Sequence, residues 1–311
     1  MKNNNYIPIF ICIFLSYTLI QFFFELFFPN YLSQTDLIRY SSLLQPFFFA
    51  LPIFYLARKN QNFSNYLIEN SEISQKNIFK NIKQNLKFNF NFKPQILLYV
   101  LWGYVGYSLL GMGIESILNF IIPKNWLDFL EIVLEEYLKI QNLLVINQSG
   151  NFIELLVIIF LIAIIPAFCE EILFRGFLMQ NIGFKRKINF AITISALIFS
   201  LIHFNILGFI PIFVIGIYLG ALFYATQSII PSIFFHFLNN FFVVIISNYG
   251  ENSTSFIQTN IWIGLILTII GSSLMYLLSK NLRIIAKFWK IRVPKTTIAA
   301  IDKSTLSNEP I

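Results

Sequence analysis

Charge is what this sequence has least of. Asp, Glu, Lys and Arg make up 12% of its 311 residues, about half of what a soluble domain carries. A water-soluble globular fold is therefore excluded. Cysteine is confined to Cys12 and Cys169, both inside apolar runs. That excludes a disulfide framework and any Cys-x-x-Cys metal site. No small-residue cleavage site follows the first apolar stretch, which reads as a retained helix and not as a signal peptide. Histidine is equally scarce, with two residues, His203 and His236.

What is abundant is apolar: 57% of the chain is hydrophobic and 37 residues are Phe. Runs near the roughly 20 residues that cross a bilayer recur along the chain. They predict an all-α, polytopic transmembrane bundle of about eight spans, at 6–28, 37–57, 96–122, 152–182, 190–207, 208–227, 229–248 and 260–279. Three regions follow: N-terminal spans with a basic loop (1–122), a core (152–248), and a last span with a basic tail (260–311).

The net charge of +7 is a matter of sidedness. With the N-terminus in the cytoplasm, segments 58–95, 183–189 and 280–311 are cytoplasmic. They hold seven, three and seven Lys or Arg, which with Lys2 makes eighteen of the 22. The other side keeps Arg39, Lys124 and Lys139, and its 123–151 segment is net acidic. This pattern predicts a multi-pass protein of the bacterial inner membrane with both termini cytoplasmic, in contact with lipid and not with nucleic acid. Residues 76–93 are expected to form an amphipathic surface helix or a solvated basic loop.

Within this apolar chain the stretch Cys-Glu-Glu-Ile-Leu-Phe-Arg-Gly, residues 169–176, carries three ionisable groups. Each costs about 2.5–3.5 kcal/mol near a bilayer centre. Glu171 and Arg175 lie four apart, one above the other on a helix, and are expected to pair. Glu170 is turned about 100° away and remains spare. His203 stands four residues after Phe199, which walls one side of its ring; His236 stands four before Asn240 and shares its face. Depth along the spans lets Glu170, His203 and His236 meet in one cavity opening to the cytoplasm. Glu25 reads as interfacial, Glu115 as a candidate second lining group, and Cys169 as pointing off the Glu170 face.

These residues resemble the CAAX-protease and bacteriocin-processing family of intramembrane proteases, whose motifs are EExxxR, FxxxH and HxxxN. Here they stand in order as Glu170-Glu171-x-x-x-Arg175, Phe199-x-x-x-His203 and His236-x-x-x-Asn240. The resemblance implies a glutamate-type endopeptidase acting on a peptide or protein, lipid-modified or not. It implies that Glu170 and His203 activate water and that His236 and Asn240 stabilise the oxyanion, with Glu171, Arg175 and Phe199 as support. No cofactor is expected; the alternative is zinc on Glu170, His203 and His236. A non-catalytic scaffold or immunity protein, and a proton-coupled transporter, remain the competing functions at this point.

Overall fold

The computed structural model describes residues 7–27, 39, 42–59, 85–90, 92–185, 188–203, 205, 208–250 and 260–291. Among these the chain is helical, and apolar composition explains why. In a bilayer the backbone must satisfy its own polar groups, which a helix does within one segment. The helices are α1 (Ile7–Phe27), α2 (42–59), α3 (Gln95–Ile121), α4 (Lys124–Val145), α5 (152–185), α6 (Ile188–Leu201), α7 (Phe209–Thr226), α8 (Ile230–Tyr249) and α9 (Ile261–Ile291). Five are long and apolar enough to cross a membrane: α3, α5, α7, α8 and α9. α1, α2 and α6 are shorter apolar helices at the places of expected spans.

Two expectations need correction. The 123–151 segment, read as a loop, contains the 22-residue α4. Residues 86–90, 92 and 93 are not helical, and only part of them is solvated. With Asn85 they form a turn and an irregular strap whose start, Asn85, Leu86 and Lys87, is buried. The rest of the expected amphipathic helix, 76–84, lies outside the described residues. So does the side chain of Glu25.

Polar contacts sort the helix ends into two groups. Ala57, the strap, Gln180 and the 227–229 turn meet at one end. At the other, Arg39 bonds Glu154 at 2.7 Å and the Ile146 carbonyl, while Asn248 bonds the 145–147 backbone. The first group is the basic end in the charge count above. We refer to it by that name.

α3 and α9 pack with little between them, because glycines face each other across the seam. A Cβ on Gly271 would lie 2.5 Å from the Leu110 nitrogen, and one on Gly113 would strike Thr268. Without a hydrophobic drive between helices in lipid, such close backbone approach is what holds them. Gly271→Leu is expected to unseat α9 and cost about 1–3 kcal/mol, read as a lower midpoint of thermal unfolding in detergent. Gly111→Ala is the control, since no atom lies within 4 Å of its Cβ position.

Candidate active site

α5 carries the acidic pair, and its helix is not uniform. Residues Ile159–Ile164 and Ile172–Met179 have widened, π-helical turns that flank the α-helical Ile165–Glu171. Such widenings are frequent at functional sites. Pro166 lies between them and has no N–H to give to the Ile162 carbonyl four residues earlier. The Asn240 amide, on α8, donates to that carbonyl at 3.2 Å.

Arg175 donates to Glu171 Oε1 at 2.8 Å, with side chains 1% and 0% exposed. Its second nitrogen donates to the Gly216 carbonyl on α7 at 3.1 Å. Its guanidinium carbon lies 4.7 Å from the centre of the Phe199 ring. A buried cation is thus met by a carboxylate, a carbonyl and an aromatic face, the partners that make its burial tolerable.

The same Glu171 oxygen lies 2.9 Å from His236 Nδ1. A carboxylate accepts, so Nδ1 carries the ring proton and Nε2 presents its lone pair. His203 reaches the same state by a different route. Its Nδ1 donates to the Phe199 carbonyl at 2.6 Å, which again leaves Nε2 as the acceptor. Both Nε2 atoms lie 3.9 Å from one oxygen, Glu170 Oε2.

That oxygen is buried and has no hydrogen-bond partner, as is Glu171 Oε2. A separation of 3.9 Å is too long for a direct bond and suits an intervening water. The centre is therefore three acceptors, Glu170 on α5, His203 just past the end of α6 and His236 on α8, at separations that suit one bridging water. His203 is the accessible wall at 31% side-chain exposure, against 14% for Glu170 and 5% for His236.

Tetrahedral zinc, with bonds near 2.0–2.1 Å, sets its ligand atoms about 3.4 Å apart. The 3.9 Å separations are wider, and among the described residues no three His, Cys, Asp or Glu side chains are gathered to hold a metal. As arranged, the residues do not fit zinc.

Glu170, Glu171, Arg175, Phe199, His203 and His236 are brought together. The Phe199 ring stands 4.6 Å from His203 and 5.7 Å from His236, between centres. Asn240 is joined instead to the α5 backbone and to Asn239. Cys169 is buried, and Glu115 lies on the exposed side of α3. Sequence reasoning missed the His236–Glu171 bond and the Gly216 carbonyl. It also missed the tie from Asn240 to Ile162, for which Pro166 is a legible signal.

Residues 152–242 match the family model described as Rce1-like, type II CAAX prenyl endopeptidase Rce1-like. No curated protein and no solved structure matches the chain significantly. The matched segment holds every residue of the cluster just described. Over residues 152–242, less than a third of its length, the chain is similar to the Rce1-like type II CAAX prenyl endopeptidases.

Proposed function

We propose that the protein is an intramembrane endopeptidase in which Glu170, His203 and His236 hold the attacking water. The observation that carries this reading is the unpartnered Glu170 Oε2 facing two histidine lone pairs at 3.9 Å. A water in that gap meets three acceptors. Its protons are drawn to them, and its oxygen lone pairs are left for the peptide carbonyl carbon. Attack forms the C–O bond as one water proton passes to the cluster.

The two histidines differ in what stands behind them. His236 is backed by the Glu171 carboxylate, which stabilises the ring when Nε2 takes a proton, as the carboxylate does in a serine protease triad. Behind Nδ1 of His203 stands the neutral Phe199 carbonyl. The proton taken from water is therefore held on Glu170 or His236, and from there it passes to the leaving amine as the C–N bond breaks. Protonated Nε2 of His236 is also the donor nearest the developing oxyanion. Asn240 supports it from one turn away by fixing α8 against the Pro166 bend, in addition to whatever the oxyanion draws from its amide.

The reading is metal-free. Strong chelators are expected to leave peptide cleavage unchanged, and mass spectrometry to find no stoichiometric zinc. Zinc that leaves together with activity would sink this part of the reading. The substrate is a peptide or protein presented at the membrane, and a lipid anchor on it would bring it there. The basic end faces the cytoplasm in this account. Tags after Lys76 and Thr297 are expected on the cytoplasmic side, and one within 123–151 on the other. A lumenal or periplasmic signal from Lys76 would overturn that orientation.

A further inference from the structure

The HxxxN pattern ends on the second of two adjacent asparagines, Asn239 and Asn240, and leaves the first without a role. The structure joins them. Asn240 Nδ2 donates to the Ile162 carbonyl at 3.2 Å. That carbonyl can only accept, which fixes the amide with Nδ2 towards α5 and Oδ1 turned away. Asn239 Nδ2 donates to that Oδ1 at 3.2 Å. The result is one directed run, from the Asn239 N–H to the Asn240 carbonyl oxygen and from the Asn240 N–H to Ile162. Each bond in such a run polarises the next, so Asn240 is a better donor for the bond it receives. Its amide also has a second N–H, which this run does not use.

Packing alone does not ask for a polar residue at 239. It stands four residues after Phe235 and three before Phe242, on one stripe of α8. Tyr104 of α3 stacks on the Phe242 ring at 4.9 Å between centres and 19° between planes. Tyr104 and Tyr107 both meet Phe235 edge-on, each at 6.4 Å. This stripe is therefore the one α8 lays against α3, and its neighbours are aromatic. His236 and Asn240 lie on the adjoining stripe, where both bond α5.

A polar side chain in a membrane helix commonly serves as glue between helices. The Asn239 bond does not have that form, because it runs within α8, from one side chain to the next. A bond of this kind orients a side chain and leaves the seam with α3 to the aromatic rings. What it orients is the amide one helical turn beyond His236. Turned over, that amide would set its oxygen against the Ile162 carbonyl, acceptor against acceptor. It would also present an acceptor in place of a donor on the stripe it shares with His236.

We propose that Asn239 is a positioning residue for peptide hydrolysis: it holds the Asn240 amide with its oxygen turned away and its N–H groups on the α5 side. The proposal rests on the reading of Glu170, His203 and His236 as the groups that hold the attacking water. On that reading the second Asn240 N–H serves the oxyanion beside His236, and Asn239 acts on the reaction through it without touching the substrate.

The test is peptide cleavage by the full-length protein in nanodiscs, with kcat, KM and the unfolding midpoint measured on each variant. Asn239→Leu keeps the size of the side chain, suits the aromatic stripe and removes the donor. It is expected to unfold no lower than wild type and yet to lose about 3–10-fold in kcat, the worth of one neutral hydrogen bond, with KM unchanged. Asn239→Asp replaces the donor by an acceptor of the same shape, which draws Asn240 Nδ2 to itself and turns the amide over. Its kcat is expected to fall further, by about 10²-fold, as when an oxyanion donor is lost. In an Asn240→Ala background, Asn239→Leu is expected to change kcat no further. Wild-type kcat in Asn239→Leu would overturn the proposal, as would a loss that multiplies with that of Asn240→Ala. A fall in kcat matched by a lower midpoint in Asn239→Leu would overturn it in favour of a packing role. These results would leave an active wild type, and with it the reading of the water site, intact; a wild type without turnover would overturn both.

Discussion

Glu171→Gln is expected to lower stability by about 3–5 kcal/mol, the cost of breaking a buried pair from one side. Arg175 is 1% exposed, and without the carboxylate only the Gly216 carbonyl and the Phe199 ring face its charge. The loss extends to activity, because the same oxygen orients His236. A neutral amide oxygen still accepts from one donor but does not stabilise a protonated ring. Arg175→Met alone is expected to destabilise similarly, while the Glu171→Gln, Arg175→Met double variant recovers part of the stability and none of the turnover. Unfolding midpoints and single-turnover cleavage on the three variants check this. Additive stability losses would show that the two side chains are not a unit.

The second large effect separates the histidines. His236→Ala is expected to reduce kcat by about 10²–10⁴-fold, the usual contribution of a positioned acid–base group, with KM little changed. His203→Ala, which removes a ring whose Nδ1 meets a neutral carbonyl and not a carboxylate, is expected to lose less in kcat. It also widens the accessible wall of the gap, so KM should move with it. Equal kcat losses with unchanged KM in both would show that the Glu171 carboxylate gives His236 no special role. Asn240→Ala is expected to fall between them and to lower stability as well, since it leaves the Ile162 carbonyl without its side-chain donor.

The helices were legible where apolar length alone decides, as in α3, α7 and α8. α4 was not, because it alternates Asp128, Glu131, Glu135, Lys139 and Asn142 with apolar residues at three- and four-residue steps. That pattern is a helix's, but a search for membrane spans passes over it. α6 ends at Leu201, before His203, where an apolar run had suggested a span to 207. The strap was illegible because its stability comes from carbonyls and amides of α2, α5 and the 227–229 turn, none of which local sequence reveals. At the site, helical spacing was enough to pair Glu171 with Arg175 and to leave Glu170 spare. It could not supply the π-helical widening of α5, so the convergence of two Nε2 atoms on one Glu170 oxygen needed the tertiary structure.

The central claim is that a water held against Glu170 hydrolyses a peptide bond. The direct measurement is mass spectrometry of products after incubating a mixed peptide library, in ¹⁸O-labelled water, with purified wild type and Glu170→Gln in nanodiscs. The account predicts new peptide termini in the wild-type reaction, each new carboxylate carrying one ¹⁸O. It predicts none with Glu170→Gln, whose unfolding midpoint stays near that of wild type because Glu170 Oε2 has no hydrogen-bond partner to lose. Cleavage that persists in Glu170→Gln would contradict it, and so would a folded wild-type protein that releases no labelled termini from any peptide.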